Sequence, residues 1–264
     1  MSAATLGEVP AFGRHLKQWR RQRGLSQLDL AIRANMSQRH VSFIETGRSR
    51  PRAAVVHKVA EALDVPPRDR NTLLEAAGLA PSYPEVALSD GAAAPFRNSI
   101  RRMLAAHEPY PAYVIDRWWD MIDANAAALR LFPQSGDGPI NLVDTFLRPG
   151  PLRERVENFP AAGWTFLRRI RREVEASGPD ERLHELLGRA EAYMRDVPAT
   201  RDVSDTELVI CPHLRIGDQL IKTVSMVARF GTAREVTLDE LRVELVFPRD
   251  EEAEAFFKRS AQQV

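Results

Sequence analysis

Over the first eighty residues, apolar positions recur every three or four places, in short stretches closed by glycine or proline. Phe12, Leu16 and Trp19 share one side of a helix predicted over 12–23, and Gly24 ends it. Ser26-Gln27-Leu28-Asp29 has the form of a capping box and opens a second helix through 34. Ser37 can cap a third, through 46, stopped by Gly47. A fourth spans 52–63, broken by Asp64-Val65-Pro66-Pro67, and a fifth spans 68–77 before Gly78. The expectation for residues 1–80 is an all-α unit of five helices. Pro81, Pro84, Gly91 and Pro95 then make 81–95 read as a linker.

Beyond that seam the period is mixed. Helices are predicted over 96–107, 125–131 with Asn125 as cap, 140–147, 152–177 and 180–195, with interruptions near Pro160 and Gly178-Pro179. Strands are predicted over 111–116 and 119–124 around a turn at Arg117-Trp118, then over 207–214, 219–230 and 241–247, with Gly217-Asp218 as a hairpin turn. Leu220, Val224, Met226, Ala228 and Phe230 alternate along one face, interrupted by Lys222. A last helix is expected over 250–260. Residues 96–264 thus read as an α+β domain with an antiparallel sheet.

Charge adds a division that the total conceals. The chain of 264 residues has a formal net charge of +1. Residues 1–80 hold 13 bases against 7 acids, and 81–264 hold 24 against 29. Between Arg14 and Arg52 ten bases face only Asp29 and Glu45. A basic head on an acidic body is what a polyanion-binding unit joined to a non-binding one looks like.

The residues of the head make that reading specific. Leu30, Ala31, Val41 and Ile44 are placed to pack helix two on helix three across the turn Asn35-Met36, leaving Gln38, Arg39, Ser42 and Phe43 outward. Arg39 can pair bidentately with a guanine and Gln38 with an adenine. Phe43 could lie on a thymine methyl or cover the turn. The run Gln27-Leu28-Asp29-Leu30-Ala31, with Ser37 through Pro51, resembles the Xre/Cro-repressor type of helix-turn-helix over about residues 10–78. The resemblance implies base reading by Gln38, Arg39, Ser42 and Phe43. It implies phosphate contact by Gln27, Arg48 and Arg50, with His40 a phosphate donor or simply solvated. A structural ion pair between Arg20 and Glu45 and a homodimer on a two-fold symmetric double-stranded DNA operator follow in the same way.

The body carries fainter marks. Pro111 through Arg117, followed by Asp123-Ala124-Asn125, resembles the opening of PAS-type sensors. With the long helical insert and the tail Phe230-Gly231-Thr232, residues 97–260 resemble the MmyB-like ligand-binding domain, known fused to this helix-turn-helix type. A PAS-like sheet and a small apolar, fatty-acid-like ligand are what that resemblance implies. Phe132, Phe146, Trp164, Phe166, Leu167, Met226 and Phe230 are candidates to line its pocket. Arg168, Arg169, Arg171 and Arg172 run around one helix and read as a solvated face.

Other chemistries find little support. One cysteine, Cys211, excludes a disulfide framework and a zinc finger. Cys211-Pro212-His213 lacks an orienting partner for catalysis, and His184 with His213 lacks metal-ligand spacing. No catalytic residue, metal or cofactor is expected. No run nears the ~18 apolar residues of a membrane span, and Met1 to Pro10 carries no secretory pattern, so a cytoplasmic protein is expected. The reading is a transcriptional regulator, not an enzyme. Two alternatives stay open: an enzyme joined to an autoregulatory DNA-binding head, and a body that only dimerises.

Overall fold

The computed structural model describes residues 10–132, 138–199, 210–231 and 233–262. The chain divides into two compact units. One takes the residues up to Glu85, with Glu175–Pro179 and Ala233–Asp239; the other takes Val86–Val174, Asp180–Thr232 and Glu240–Val264.

Five helices build the first unit: α1 Ala11–Gln22, α2 Gln27–Arg33, α3 Gln38–Glu45, α4 Ala53–Ala62 and α5 Pro67–Ala76. Three of them, α2, α3 and α5, begin where local chemistry satisfies an orphan backbone donor or needs none. Ser26 Oγ accepts from Asp29 N at 3.1 Å while the Asp29 carboxylate accepts from Ser26 N at 2.8 Å, the reciprocal capping box. Ser37 Oγ accepts from His40 N at 3.2 Å, and Pro67 stands in the first turn of α5, where its missing N–H costs nothing. Leu16, Leu30, Val41, Ile44, Val56 and Leu73 are fully buried in one core. Gly13 lets α1 close onto α3, since a Cβ there would lie 2.3 Å from the Glu45 carbonyl oxygen. Gly47 has φ +76°, and a Cβ would strike Pro10.

The stretch expected as a linker is no loose tether in its first half. Asn71 Oδ1 accepts from Ser82 N and Tyr83 N, Asn71 Nδ2 donates to the Tyr83 carbonyl, and Arg68 pairs with Glu85. Prolines removed the helical alternative, but the polar side chains of α5 supplied partners that composition does not reveal.

The second unit opens with a 3-10 turn at Gly91–Ala93 and α6 Ala94–Ala106, then β1 Ala112–Ile115, β2 Met121–Ala124, α7 Ala126–Leu131, α8 Leu142–Leu147 and α9 Pro151–Glu154. The long helices α10 Phe159–Ala176 and α11 Glu181–Met194 follow, then β3 His213–Ile216 and β4 Gln219–Ala228. The chain next passes through α12 Val236–Glu240, nearly all of which belongs to the first unit, before β5 Arg242–Pro248 and α13 Glu251–Gln262. The five strands form one antiparallel sheet in the order β2-β1-β5-β4-β3. Register sets Tyr113 opposite Glu244 and Val227 opposite Glu244, so these three side chains share a face. α10 and α11 supply Leu167, Ile170, Leu183, Leu186 and Met194 to the core on that side.

Three local readings are corrected. Trp119 is not in a strand: it is fully buried in a turn at φ +67°, where Asp116 Oδ1 accepts from Trp118 N and Asp120 N. The strand expected from 207 starts at His213, with 207–209 outside the described residues. The short α12 was not expected; the Glu235 carboxylate accepts from Thr237 N and Leu238 N and so starts it. Among the described residues no helix is long and apolar enough to cross a membrane, and no group of His, Cys, Asp and Glu could hold a metal ion.

Candidate DNA-reading face and apolar cavity

Helix α3 presents two chemistries on two sides. Val41, Ile44 and Glu45 point inward and are buried, while Gln38 and Arg39 are exposed and Ser42 and Phe43 half-buried. The Arg39 guanidinium lies 5.1 Å from the Phe43 ring centroid and that of Arg48 lies 5.9 Å from it. Phe43 is thus flanked by two cations, and among the described residues no acid claims their N–H groups. Arg48 and Arg50 are exposed just past Gly47, and His40 is half-buried.

Behind this face lies the Glu45 carboxylate. It accepts from Arg20 Nε at 2.6 Å and Arg20 Nη2 at 3.1 Å, a fork-to-fork pair between α1 and α3. Arg20 Nη1 reaches the Leu25 carbonyl at 2.8 Å. Gln27 completes the set, its Nε2 donating to Glu45 Oε2 at 2.7 Å. An amide carries two N–H donors, so Gln27 is held by Glu45 and keeps one for another acceptor. That tie was not readable from residue spacing, because nothing local links positions 27 and 45.

The second unit contains a cavity of about 210 Å³ between α10 and the sheet, lined by Phe146, Leu147, Val156, Phe159, Ala162, Phe166, Ile210 and Val227 on its apolar sides. Tyr113, Arg169, Arg172, Cys211, Ser225 and Glu244 add a polar edge. Arg169 Nη2 donates to Glu244 Oε1 at 2.5 Å, and Arg169 also meets Glu173 at 3.5 Å. Burial opposes the charge on Arg169, but the Glu244 carboxylate, its hydrogen bond and Glu173 overcome this and raise its pKa. Burial, with Glu244 and Cys211 adding to it, pushes the Tyr113 phenol far above the usual tyrosine range, so it stays protonated. Among the described residues no hydrogen-bond partner reaches that hydroxyl, although Tyr113 is only 5% exposed.

Of the seven candidate pocket residues, Phe146 and Phe166 line this cavity. The Phe132 ring packs on Tyr113 and Phe146 and faces a wider depression of about 640 Å³ instead. Leu167 is wholly buried core, and Trp164 is turned to the Pro198 carbonyl. Met226 is 60% exposed, and Phe230 packs edge-on against Phe96. The alternation expected in β4 is present, but its even positions belong to the face away from the cavity, as Val227 and Ser225 line it. The arginine run also splits: Arg171 pairs with Glu191 and Arg168 donates to Thr165, whereas Arg169 and Arg172 face the cavity. Their i, i+3 spacing, shared with Phe166, was the available signal. Cys211 is buried and its Sγ accepts from Ser225 N at 3.3 Å.

Against this geometry, two family models match the chain. Residues 11–73 match a helix-turn-helix domain, and residues 96–259 match the MmyB-like transcription regulator ligand binding domain. The chain belongs to the MmyB-like transcription regulators. No curated protein matches it. As a member of that family it is a DNA-binding transcriptional regulator with a C-terminal ligand-binding domain. The helix-turn-helix match contains α2, α3 and the Arg20–Glu45 pair, and the ligand-domain match contains every residue named above on the cavity wall.

Proposed function

We propose that this regulator reads a specific operator through α3 as a homodimer, and that a small apolar molecule in the α10 cavity modulates the binding. The observation that carries the first half is the exposed pair Gln38 and Arg39, with Arg48 and Arg50 beside them and no carboxylate claiming their donors among the described residues. Arg39 takes a guanine edge and Gln38 an adenine edge; Ser42 and Phe43 complete the base-facing set. Arg48, Arg50, His40 and the free N–H of Gln27 hold phosphates and set the register. A single recognition helix touches few bases, so a second copy on a two-fold operator supplies the missing affinity and symmetry.

The second half rests on an apolar cavity with a polar edge in a ligand-binding domain. An apolar body with an acid head, the general plan of a fatty acid, matches that division. A ligand changes DNA affinity only if it binds one arrangement of the dimer better than the other. The body senses and does not turn its ligand over.

Selection of duplexes from a random pool, followed by native mass spectrometry of the complex, tests the reading. Two chains per duplex are expected, on half-sites about 10 bp apart or a multiple of that. Affinity should fall by about 0.9 log unit per log unit of salt for each phosphate neutralised. One chain per duplex, or no enriched sequence, refutes it.

A further inference from the structure

The cavity has a size and a charge that narrow its occupant. An apolar cavity of about 150 Å³ takes a benzene ring, and drug-sized ligands occupy roughly 300–1,000 Å³. At about 210 Å³ the space between α10 and the sheet holds one ring and a few more atoms. A space of that size suits one ring better than a long acyl chain.

Its charge is uneven. Two guanidiniums, Arg169 and Arg172, and one carboxylate, Glu244, face it, which leaves one positive charge in excess. Glu244 is already taken by Arg169. Arg172 is exposed and pairs with no carboxylate among the described residues, and no described residue hydrogen-bonds the Tyr113 hydroxyl. Both groups border the cavity and have donors to spare.

We infer that the ligand of this domain is a compact aromatic monocarboxylic acid, its carboxylate held by the Tyr113 hydroxyl and Arg172 and its ring among Phe146, Phe159 and Phe166. Glu244 and Arg169 neutralise one another, so the incoming carboxylate meets the net charge of Arg172 alone. The phenol keeps its proton and therefore donates. This rests on the reading of the cavity as the modulating site, but it fails separately from that reading.

Isothermal titration calorimetry of the full chain tests it with three probes: phenylacetate, its neutral isostere phenylacetamide, and palmitate. Phenylacetate should bind once per chain, phenylacetamide at least tenfold more weakly, and palmitate not at all. Tyr113→Phe and Arg172→Gln should each weaken phenylacetate by about ten- to a hundredfold, the loss expected of a hydrogen bond to a charged group, with thermal unfolding unchanged. Equal affinity for the acid and the amide overturns the acid, binding of palmitate in preference to phenylacetate overturns the size, and silence from all three probes overturns both. An undiminished Tyr113→Phe variant overturns the assigned head group. DNA affinity for a pool-selected duplex separates the two readings. Phenylacetate bound with no change in DNA affinity leaves the ligand class standing and removes modulation; palmitate alone bound with a change in DNA affinity does the reverse.

Discussion

Arginine lies over an aromatic ring in both units, but with opposite results. In the first, Arg39 and Arg48 flank Phe43, and among the described residues no acid takes their N–H groups. In the second, Arg169 and Arg242 lie over Trp119, and Arg117 and Arg182 over Trp118. There each is claimed: Arg169 by Glu244, Arg242 by Glu173, Arg182 by Asp120, and Arg117 by both Asp180 and Glu240. The ring contact orients a guanidinium without using its donors. The first pair is exposed, which leaves those donors available; burial around Arg117, Arg242 and, in part, Arg169 demands a counter-charge, and the exposed Arg182 answers the buried Asp120. The same side chain is a reading group in one place and a wall in the other.

The sharpest way to break this contrast is to remove an acid. Glu45→Gln should cost the first unit about 3–5 kcal/mol, because Arg20 is left charged and buried. Glu244→Gln should cost the second unit less, since Glu173 still faces Arg169. Chemical denaturation measures both. Additivity of Arg20→Met and Glu45→Leu in a double-mutant cycle would remove the coupling claimed for the pair.

Next in size come the free arginines. Arg39→Ala should erase about 1–3 kcal/mol of discrimination between selected and random duplexes. Arg48→Ala should weaken all duplexes alike and lower the salt slope by about one phosphate. Fluorescence anisotropy at several salt concentrations distinguishes them, and equal losses on both duplexes for Arg39→Ala would end its assignment.

Phe43→Leu probes the ring itself. It keeps apolar cover of the turn but removes the π face, and should forfeit about 0.5–1 kcal/mol of Arg39 discrimination. A loss reproduced by replacing thymine with uracil in the duplex would instead place Phe43 on a base methyl.

The smallest effect concerns His15. Burial, then Arg14, lower its pKa below the ordinary 6.5, although Asp69 pulls the other way. The unfolded chain therefore takes the proton first as pH falls. Stability of the first unit should be full above about pH 6.5, decline as pH drops from there to the folded value, and level off below it. An NMR titration of His15, with His15→Gln as control, checks the sign.

The first unit was legible because its instructions are local. A cap lies three residues from its donor in Ser26–Asp29 and Ser37–His40, and Gly24 and Gly47 mark helix ends directly. The cavity was only half legible because its polar edge is assembled from distant segments: Tyr113 meets Glu244 across two strands, and Glu244 meets Arg169 75 positions away. Alternation in β4 identified two faces, but a period of two cannot tell which one a helix will cover. Met226 and Val227 are neighbours in sequence, and only Val227 reaches the cavity. On α10 the pairing of Arg169 with the distant Glu244 likewise has no local signal, so Arg169 looked solvated beside Arg168 and Arg171.

Trp119 gives the second unit an optical consequence. Its indole touches Phe166 at 4.7 Å between ring centroids and lies under the guanidinium of Arg169, both of them cavity residues. Trp19 sits in the core of the first unit under Arg23. With Trp118 and Trp164 replaced by phenylalanine, each unit would carry one chromophore. Emission from the indole at 119 would then register what enters the cavity, and emission from the one at 19 would register what becomes of the helices that read DNA, without any added dye.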